Sequence, residues 1–376
     1  MSGIFIHIPY CKQKCYYCDF YSVANTKSFR QFLNALTLEL ELQKNYLGDS
    51  EIKTIYFGGG TPSLCQPKDI YDILNTIHRN FRVSSSPEIT IEANPDDLNR
   101  EYLQSLFSIK INRLSIGIQS FNNKDLAFLN RRHDAVQAIN SVKTALDCGF
   151  RNISIDLIYG LPGMTLKEWG LNLDEAFSLG IQHLSAYHLT IEEKTVLHHQ
   201  LTKGKFEIVK EEESLKQFKL LIVKSESNGF LHYEISNFCL PGFISEHNSN
   251  YWKQEKYLGV GPSAHSFDIY SRQWNLRSVE KYIESIEKNI IPCEKEEIDE
   301  ITRYNEYVMT SLRTMWGADK EYLKTNFGNL FLNHFLKISQ KYIESGHITK
   351  DEKSLKLSSE GMFISDSIIA DLIFIG

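Results

Sequence analysis

Six short apolar runs alternate with amphipathic stretches over the first half of the chain, at residues 4–8, 53–57, 88–92, 114–118, 153–158 and 183–189. Between them, apolar residues recur at helical spacing over 29–46, 67–78, 98–107, 123–130, 134–148 and 166–179. A strand that is followed by a helix returns to pair in parallel, and the crossover is right-handed. The pattern therefore predicts a parallel α/β sheet. Such a sheet is either doubly wound or bent into a barrel, and periodicity alone does not choose.

At 376 residues, with 42% hydrophobic and 23% charged residues, the chain can bury one large core and a small second domain. A net charge of −6 argues against a nucleic-acid surface. The most apolar stretch, 368–375, is too short to span a bilayer and is interrupted by Asp371, so membrane contact is at most peripheral. No basic leader precedes the first apolar strand, and the cysteines have no framework spacing; both point to a reducing cytoplasm. The acidic stretch 288–300 marks a boundary between residues 1–287 and a smaller unit, 301–376, whose helix–strand–turn–strand pattern suggests a winged-helix-like fold. The Lys/Glu-rich run 203–224 reads as a solvated helix face.

Cys11, Cys15 and Cys18 lie within eight residues, just after the first strand. Their spacing directs three thiolates to one point and supplies no fourth. A cube of four irons held by three cysteines keeps one iron open to another ligand. A structural zinc site normally completes four ligands, and Cys65, Cys148, Cys239 and Cys293 are scattered singly. The odd total of seven and the tight clustering count against disulfides. A zinc-stabilised interaction protein remains the alternative that iron analysis would test.

Functional groups in parallel sheets gather at the carboxyl ends of strands. The glycine run Gly58-Gly59-Gly60-Thr61 ends the second strand, Glu92 the third and Gln119 the fourth, and Asp156 lies late in the fifth. A glycine run opens the backbone to a ligand, but the Lys-Ser/Thr of a phosphate loop is missing. Glu92 and Asp156 suit ribose hydroxyls, Gln119 both donates and accepts, and the planar fork of Arg131 suits a carboxylate.

The runs H-I-P-Y-C-K-Q-K-C-Y-Y-C-D-F, F-G-G-G-T-P, I-E-A-N-P, S-I-G-I-Q-S-F, L-N-R-R-H, I-D-L-I-Y-G-L-P-G, Y-E-I-S-N-F and Y-L-G-V-G-P-S-A-H-S occur in that order. In them the chain resembles the oxygen-independent coproporphyrinogen III oxidase-like family of radical S-adenosylmethionine (SAM) proteins. The resemblance covers residues 4–270 strongly and the rest in outline. It implies a partial (β/α)6 barrel with a smaller C-terminal helical, winged-helix-like domain. It also implies a [4Fe-4S] cluster on Cys11, Cys15 and Cys18, and SAM bound by Gly59, Gly60, Thr61, Glu92, Gln119, Arg131 and Asp156. Tyr17 lies in the cluster loop. Phe5 stands where relatives often have tyrosine.

Within the family, three features favour the haem-chaperone branch over the oxidase. Phe20 stands where the oxidase has a further cysteine, the oxidase's N-terminal extension is missing, and H-N-x-x-Y-W occurs at 247–252. That branch implies haem as ligand and a haem-acceptor protein, such as a respiratory enzyme, as partner. His247 is then the expected haem ligand, with Tyr251 and Trp252 as flat faces for the porphyrin. His7, His188, His232 and His265 are rivals that the sequence does not rank. The alternative activity is oxidative decarboxylation of coproporphyrinogen III by a SAM-derived radical, in which the cofactor carries the chemistry.

Overall fold

The computed structural model describes residues 2–376, and every expected strand of the first half is present. These are β1 (Ser2–Ile8), β2 (Ile52–Gly59), β3 (Val83–Ala93), β4 (Arg113–Gln119), β5 (Ile153–Tyr159) and β6 (His183–His188). They pair in parallel in that order. Residues alternate strictly between two environments. Ile4, Ile6 and Ile8 are fully buried beneath the helices, whereas Gly3, Phe5 and His7 point to the other face. Along β5, Ile153, Ile155 and Leu157 face the helices, and Ser154 and Asp156 face inward beside Ser115. A doubly wound sheet would need apolar residues on both faces. Here one face is polar and glycine-rich, so the sheet bends around it as an open barrel.

The described residues extend this sheet to twelve strands. Beyond β6 come β7 (Leu231–Glu234) and β8 (Asn237–Cys239). Beyond β1 come β9 (Lys256–Val260), β10 (His265–Phe267), β11 (Ser271–Asn275) and β12 (Cys293–Glu297). Two features differ from the sequence reading. β9 pairs in parallel with β1, so the parallel set has seven strands where the alternating pattern showed six. The acidic stretch is also more than a connection: Cys293–Glu297 is the edge strand against β11. Charged side chains on an edge strand discourage further pairing, and they also hide the strand from any search for apolar periodicity.

Behind β12, the helix Glu300–Leu312 and the long helix Lys320–Glu344, kinked at Gly328 with φ 81°, pack on a three-stranded sheet. Its strands are β13 (Ala318–Asp319), β14 (Ile348–Lys350) and β15 (Ser354–Leu357). Glu306 ties this region to the barrel by accepting two bonds from Arg272, at 2.9 and 3.0 Å.

The N-terminal end of the barrel is closed by a short helix, Glu246–Trp252. The Ser245 hydroxyl caps it, and the Glu88 carboxylate of β3 accepts from the Glu246 and His247 amides at 3.1 and 2.9 Å. His247 enters the lumen and is 2% exposed. Its Nδ1 meets the Thr54 hydroxyl at 2.8 Å, its Nε2 meets the Tyr251 hydroxyl at 3.0 Å, and its ring stacks on Tyr56 at 4.8 Å. Burial and the neighbouring Arg113 push its pKa down to about 3, so the ring is neutral. Gly3 leaves the space that this plug needs, because a Cβ there would sit 2.6 Å from the Thr54 hydroxyl.

Replacing His247 by alanine removes a stacked ring and takes a hydrogen-bond partner from each of the Thr54 and Tyr251 hydroxyls, leaving Thr54 only the Asn250 amide. The expected loss is about 3 kcal/mol of unfolding free energy, measured by denaturant titration of the wild type and His247→Ala. Equal midpoints would show that the plug contributes nothing.

Candidate functional site

The opposite end of the barrel, at the carboxyl ends of the strands, opens into a cavity of about 750 Å³. Cys11, Cys15, Cys18 and Tyr17 line it. So do Gly59, Gly60, Thr61, Glu92, Gln119, Arg131 and Asp156. The cysteine loop leaves β1 and is held at both ends. Cys11 N donates to Val23 O at 3.0 Å, and Tyr16 N donates to Leu129 O at 3.2 Å. Asn130, in the left-handed region at φ 59°, donates from its side chain to Lys14 O at 2.9 Å. That turn aims Arg131 inward. Its Nη1 donates to Cys15 Sγ at 3.2 Å, and its Nη2 donates to Asn94 Oδ1 and Gly117 O at 2.5 Å.

Asn94 is a residue that sequence reasoning missed. Its amide also donates to the Thr61 hydroxyl at 3.2 Å, and Thr61 donates to Cys11 Sγ at 3.5 Å. One asparagine thus links the arginine on one cysteine to the threonine on another. Its position in I-E-A-N-P, two residues past Glu92, was the available signal.

The glycines also have a part in packing. Gly59, at φ 109°, packs so closely on His7 that a Cβ would lie 1.9 Å from the imidazole, and a Cβ on Gly60 would lie 2.7 Å from Tyr10 O. Gly59 N already donates to Glu92 Oε2 at 3.0 Å, and Gly60 N to Ile8 O at 2.8 Å. These glycines let β2 close on β1 beneath the cysteine loop. Gln119 also takes a left-handed conformation, at φ 69°, where β4 ends.

Glu92 and Asp156 are half-buried acids in one electrostatic environment. Glu92 accepts from Tyr56 Oη at 2.9 Å, and Asp156 accepts from Ser115 Oγ at 3.4 Å. Burial first, and then the negative charge of Asp156, raises Glu92 to about 7. Burial raises Asp156 to about 6, against the opposing pull of Ser185 and Arg113. Burial also pushes the Cys11 and Cys18 thiols up, opposed at Cys11 by the Thr61 and Ser22 hydroxyls. Among the described residues, no three Cys, His, Asp or Glu side chains converge as a ready-made metal cage. The donor chemistry nonetheless suits a thiolate-bound cluster: three sulfurs on one loop face a common cavity, Cys15 bonded by Arg131 and Cys11 by Thr61.

Two expected residues lie elsewhere. Phe5 is deeper in the lumen, between His7, Tyr56 and His247. His247 sits at the level of Thr54, beneath the cavity floor, and Tyr56 separates it from the cavity by stacking on its ring while donating to Glu92 at 2.9 Å. With both ring nitrogens bonded and the ring buried, it offers no free face to a porphyrin. Tyr251 is held with it, edge-on at 5.2 Å.

The radical SAM superfamily model matches residues 5–176, and the model of the HemN C-terminal domain matches 298–364. Over 371 residues the chain is 33% identical to "Heme chaperone HemW" of Bacillus subtilis, covering 98% of each chain. The chain belongs to the HemW family of radical SAM proteins. The HemW of Lactococcus lactis is 31% identical over 375 residues, covering 98% of this chain and 96% of its own. The coproporphyrinogen III oxidase HemN of Escherichia coli, a solved structure, superposes with a TM-score of 0.85 at 21% identity, over 99% of this chain and 90% of its own, and so shares the fold. Among the described residues no helix is long and apolar enough to cross a membrane.

Because burial raises Glu92 and Asp156 above their ordinary 4.5 and 3.8, folding favours their protonated forms. That contribution is complete below those ordinary values and is lost as the pH rises through about 6 and 7. In the protein without ligands, Asp156→Asn should therefore raise the Tm relative to wild type more at pH 8 than at pH 5. A difference that does not change with pH in thermal melts would refute the charge coupling.

Proposed function

We propose that this protein is a haem chaperone of radical SAM fold, which binds a [4Fe-4S] cluster, SAM and haem and passes haem to an acceptor such as a respiratory enzyme. The observation that carries this reading is the shared cavity of three thiols, two half-buried acids and Arg131, in a chain similar to HemW over its full length. Cys11, Cys15 and Cys18 would hold the cluster. Glu92 and Asp156 would accept from the ribose hydroxyls, Arg131 would meet the methionyl carboxylate, and Gly59, Gly60, Thr61 and Gln119 would border the same ligand. When bound, the cluster and SAM supply one-electron chemistry. The chain's own residues position the ligands and shield them from water at the barrel mouth.

Phe20 distinguishes this reading from the oxidase. It is 73% exposed beside the cavity, where the oxidase pattern has a cysteine, and it adds an apolar surface in place of a thiol. Residues 301–376 form, on this reading, a distinct C-terminal domain, and the cytoplasm is the expected compartment.

The reconstituted wild type should carry about four irons and four sulfides per chain, and Cys15→Ala should lose most of both. The cluster-loaded protein should also bind haem saturably in a Soret titration, without converting coproporphyrinogen III. Decarboxylated product in mass spectrometry, without saturable haem binding, would replace the chaperone by the oxidase.

A further inference from the structure

The mouth cavity has a second lip, where β9 turns into β10 and where β11 ends, and Ser263 and Arg277 line the cavity there. The two are neighbours. Ser263 N donates to Leu276 O at 3.1 Å, and Leu276 directly precedes Arg277. Neither belongs to the set of thiols, acids and Arg131 already placed in this cavity.

The turn that carries Ser263 is held from two sides. From behind, the fully buried Glu39 of the helix Phe29–Leu42 accepts from Gly261 N at 2.8 Å, the Asn275 amide at 2.7 Å and the Tyr282 hydroxyl at 2.5 Å. Asn275 also donates to Gly261 O at 3.0 Å. From the lumen side His7 Nδ1 donates to Pro262 O, and a Cβ on Gly261 would lie 2.5 Å from His7 O. In this frame Ser263 takes φ 63°, in the left-handed region. Glycine enters that region freely and serine only with strain, and strained residues cluster at functional sites. The Ser263 hydroxyl makes no hydrogen bond among the described residues. The backbone thus stays strained where a glycine would relax it, and what serine adds there is an unbonded hydroxyl at the cavity.

Arg277 has donors to spare. Its Nη2 donates to Asp19 O at 3.2 Å, and its guanidinium lies over the Tyr21 ring at 5.9 Å. These contacts set the exposed side chain against the cysteine loop, and among the described residues it makes no ion pair. Glu280, three residues on, is engaged by the Ser278 hydroxyl at 3.2 Å. Most of the five N–H donors of Arg277 are therefore unused. A guanidinium beside a hydroxyl is a recognition pair for a carboxylate. The other guanidinium of the cavity, Arg131, is already bonded to Cys15, Asn94 and Gly117. SAM brings one carboxylate to the mouth, whereas haem brings two propionates.

We propose that Ser263 and Arg277 form a carboxylate subsite on the lip of the mouth cavity, and that it takes a propionate of haem. The subsite rests on the haem reading above and concerns the propionate edge of the ligand, not its iron.

The test compares ferric haem with its dimethyl ester, which lacks the propionate charges, in Soret titrations of the cluster-loaded full chain as wild type, Arg277→Gln and Ser263→Gly. Arg277→Gln should bind haem ~10-fold more weakly, the loss of one charge-assisted bond, and should bind the ester as wild type does. Ser263→Gly should bind haem a few-fold more weakly while its Tm equals or exceeds that of wild type, because glycine relieves the left-handed strain. A serine kept for folding alone would not move affinity and stability in opposite directions. SAM affinity, measured by equilibrium dialysis, should be unchanged in both variants. Wild-type haem affinity in both variants, or an equal loss for haem and ester in Arg277→Gln, would overturn the subsite and leave the haem reading standing. Weakened SAM binding with haem binding intact would also overturn it, by assigning the lip to the methionyl carboxylate. No saturable haem binding by wild type would overturn both.

Discussion

Arg113 lies on the inner face of β4 at 1% exposure, and its charge acts on Glu88, Glu92 and Asp156 as well as on His183 and His247. A guanidinium taken out of water costs several kcal/mol unless charges and hydrogen bonds compensate. Here the charges of three half-buried acids act on it, and the two imidazoles stay neutral beside it. The polar lumen is therefore interdependent from end to end. Glu88, 4.0 Å from Arg113 Nε, holds the plug helix, while Glu92 and Asp156 stand at the mouth. Closing one end of the barrel and tuning the acids at the other draw on the same buried cation.

The mouth is built differently, by local turns rather than by a central charge. Asn130 turns the chain so that Arg131 reaches a cysteine, and Asn94 joins that arginine to Thr61 and so to a second cysteine. Gly59 and Gly60 bring β2 close enough to β1 for these groups to share a cavity. Each contact is a single hydrogen bond or a missing Cβ. Together they orient groups that are distant in the chain, which is how a loop gains the precision of the elements that carry it.

Much of this was legible in the residues. The six parallel strands follow from apolar runs bounded by turns, and the placement of the cysteines, Glu92, Gln119 and Asp156 follows from strand ends. β12 was hidden because C-E-K-E-E has no apolar period. Asn94 was hidden because its role depends on Arg131, 37 residues away. The surroundings of His247 were not legible either, for a physical reason. A histidine followed four residues later by tyrosine suggests a ligand beside an aromatic face, yet at that spacing on a helix the two side chains bond each other.

By itself the sequence determined the parallel β/α order, the three-cysteine loop and which polar residues stand at strand ends, because these depend on local periodicity and spacing. The tertiary structure alone decided that the sheet curves around a polar lumen, that residues 246–252 plug its lower end, and that His247 is enclosed. Those outcomes depend on which faces meet across hundreds of residues, and only the packed chain sets which face of the sheet is covered.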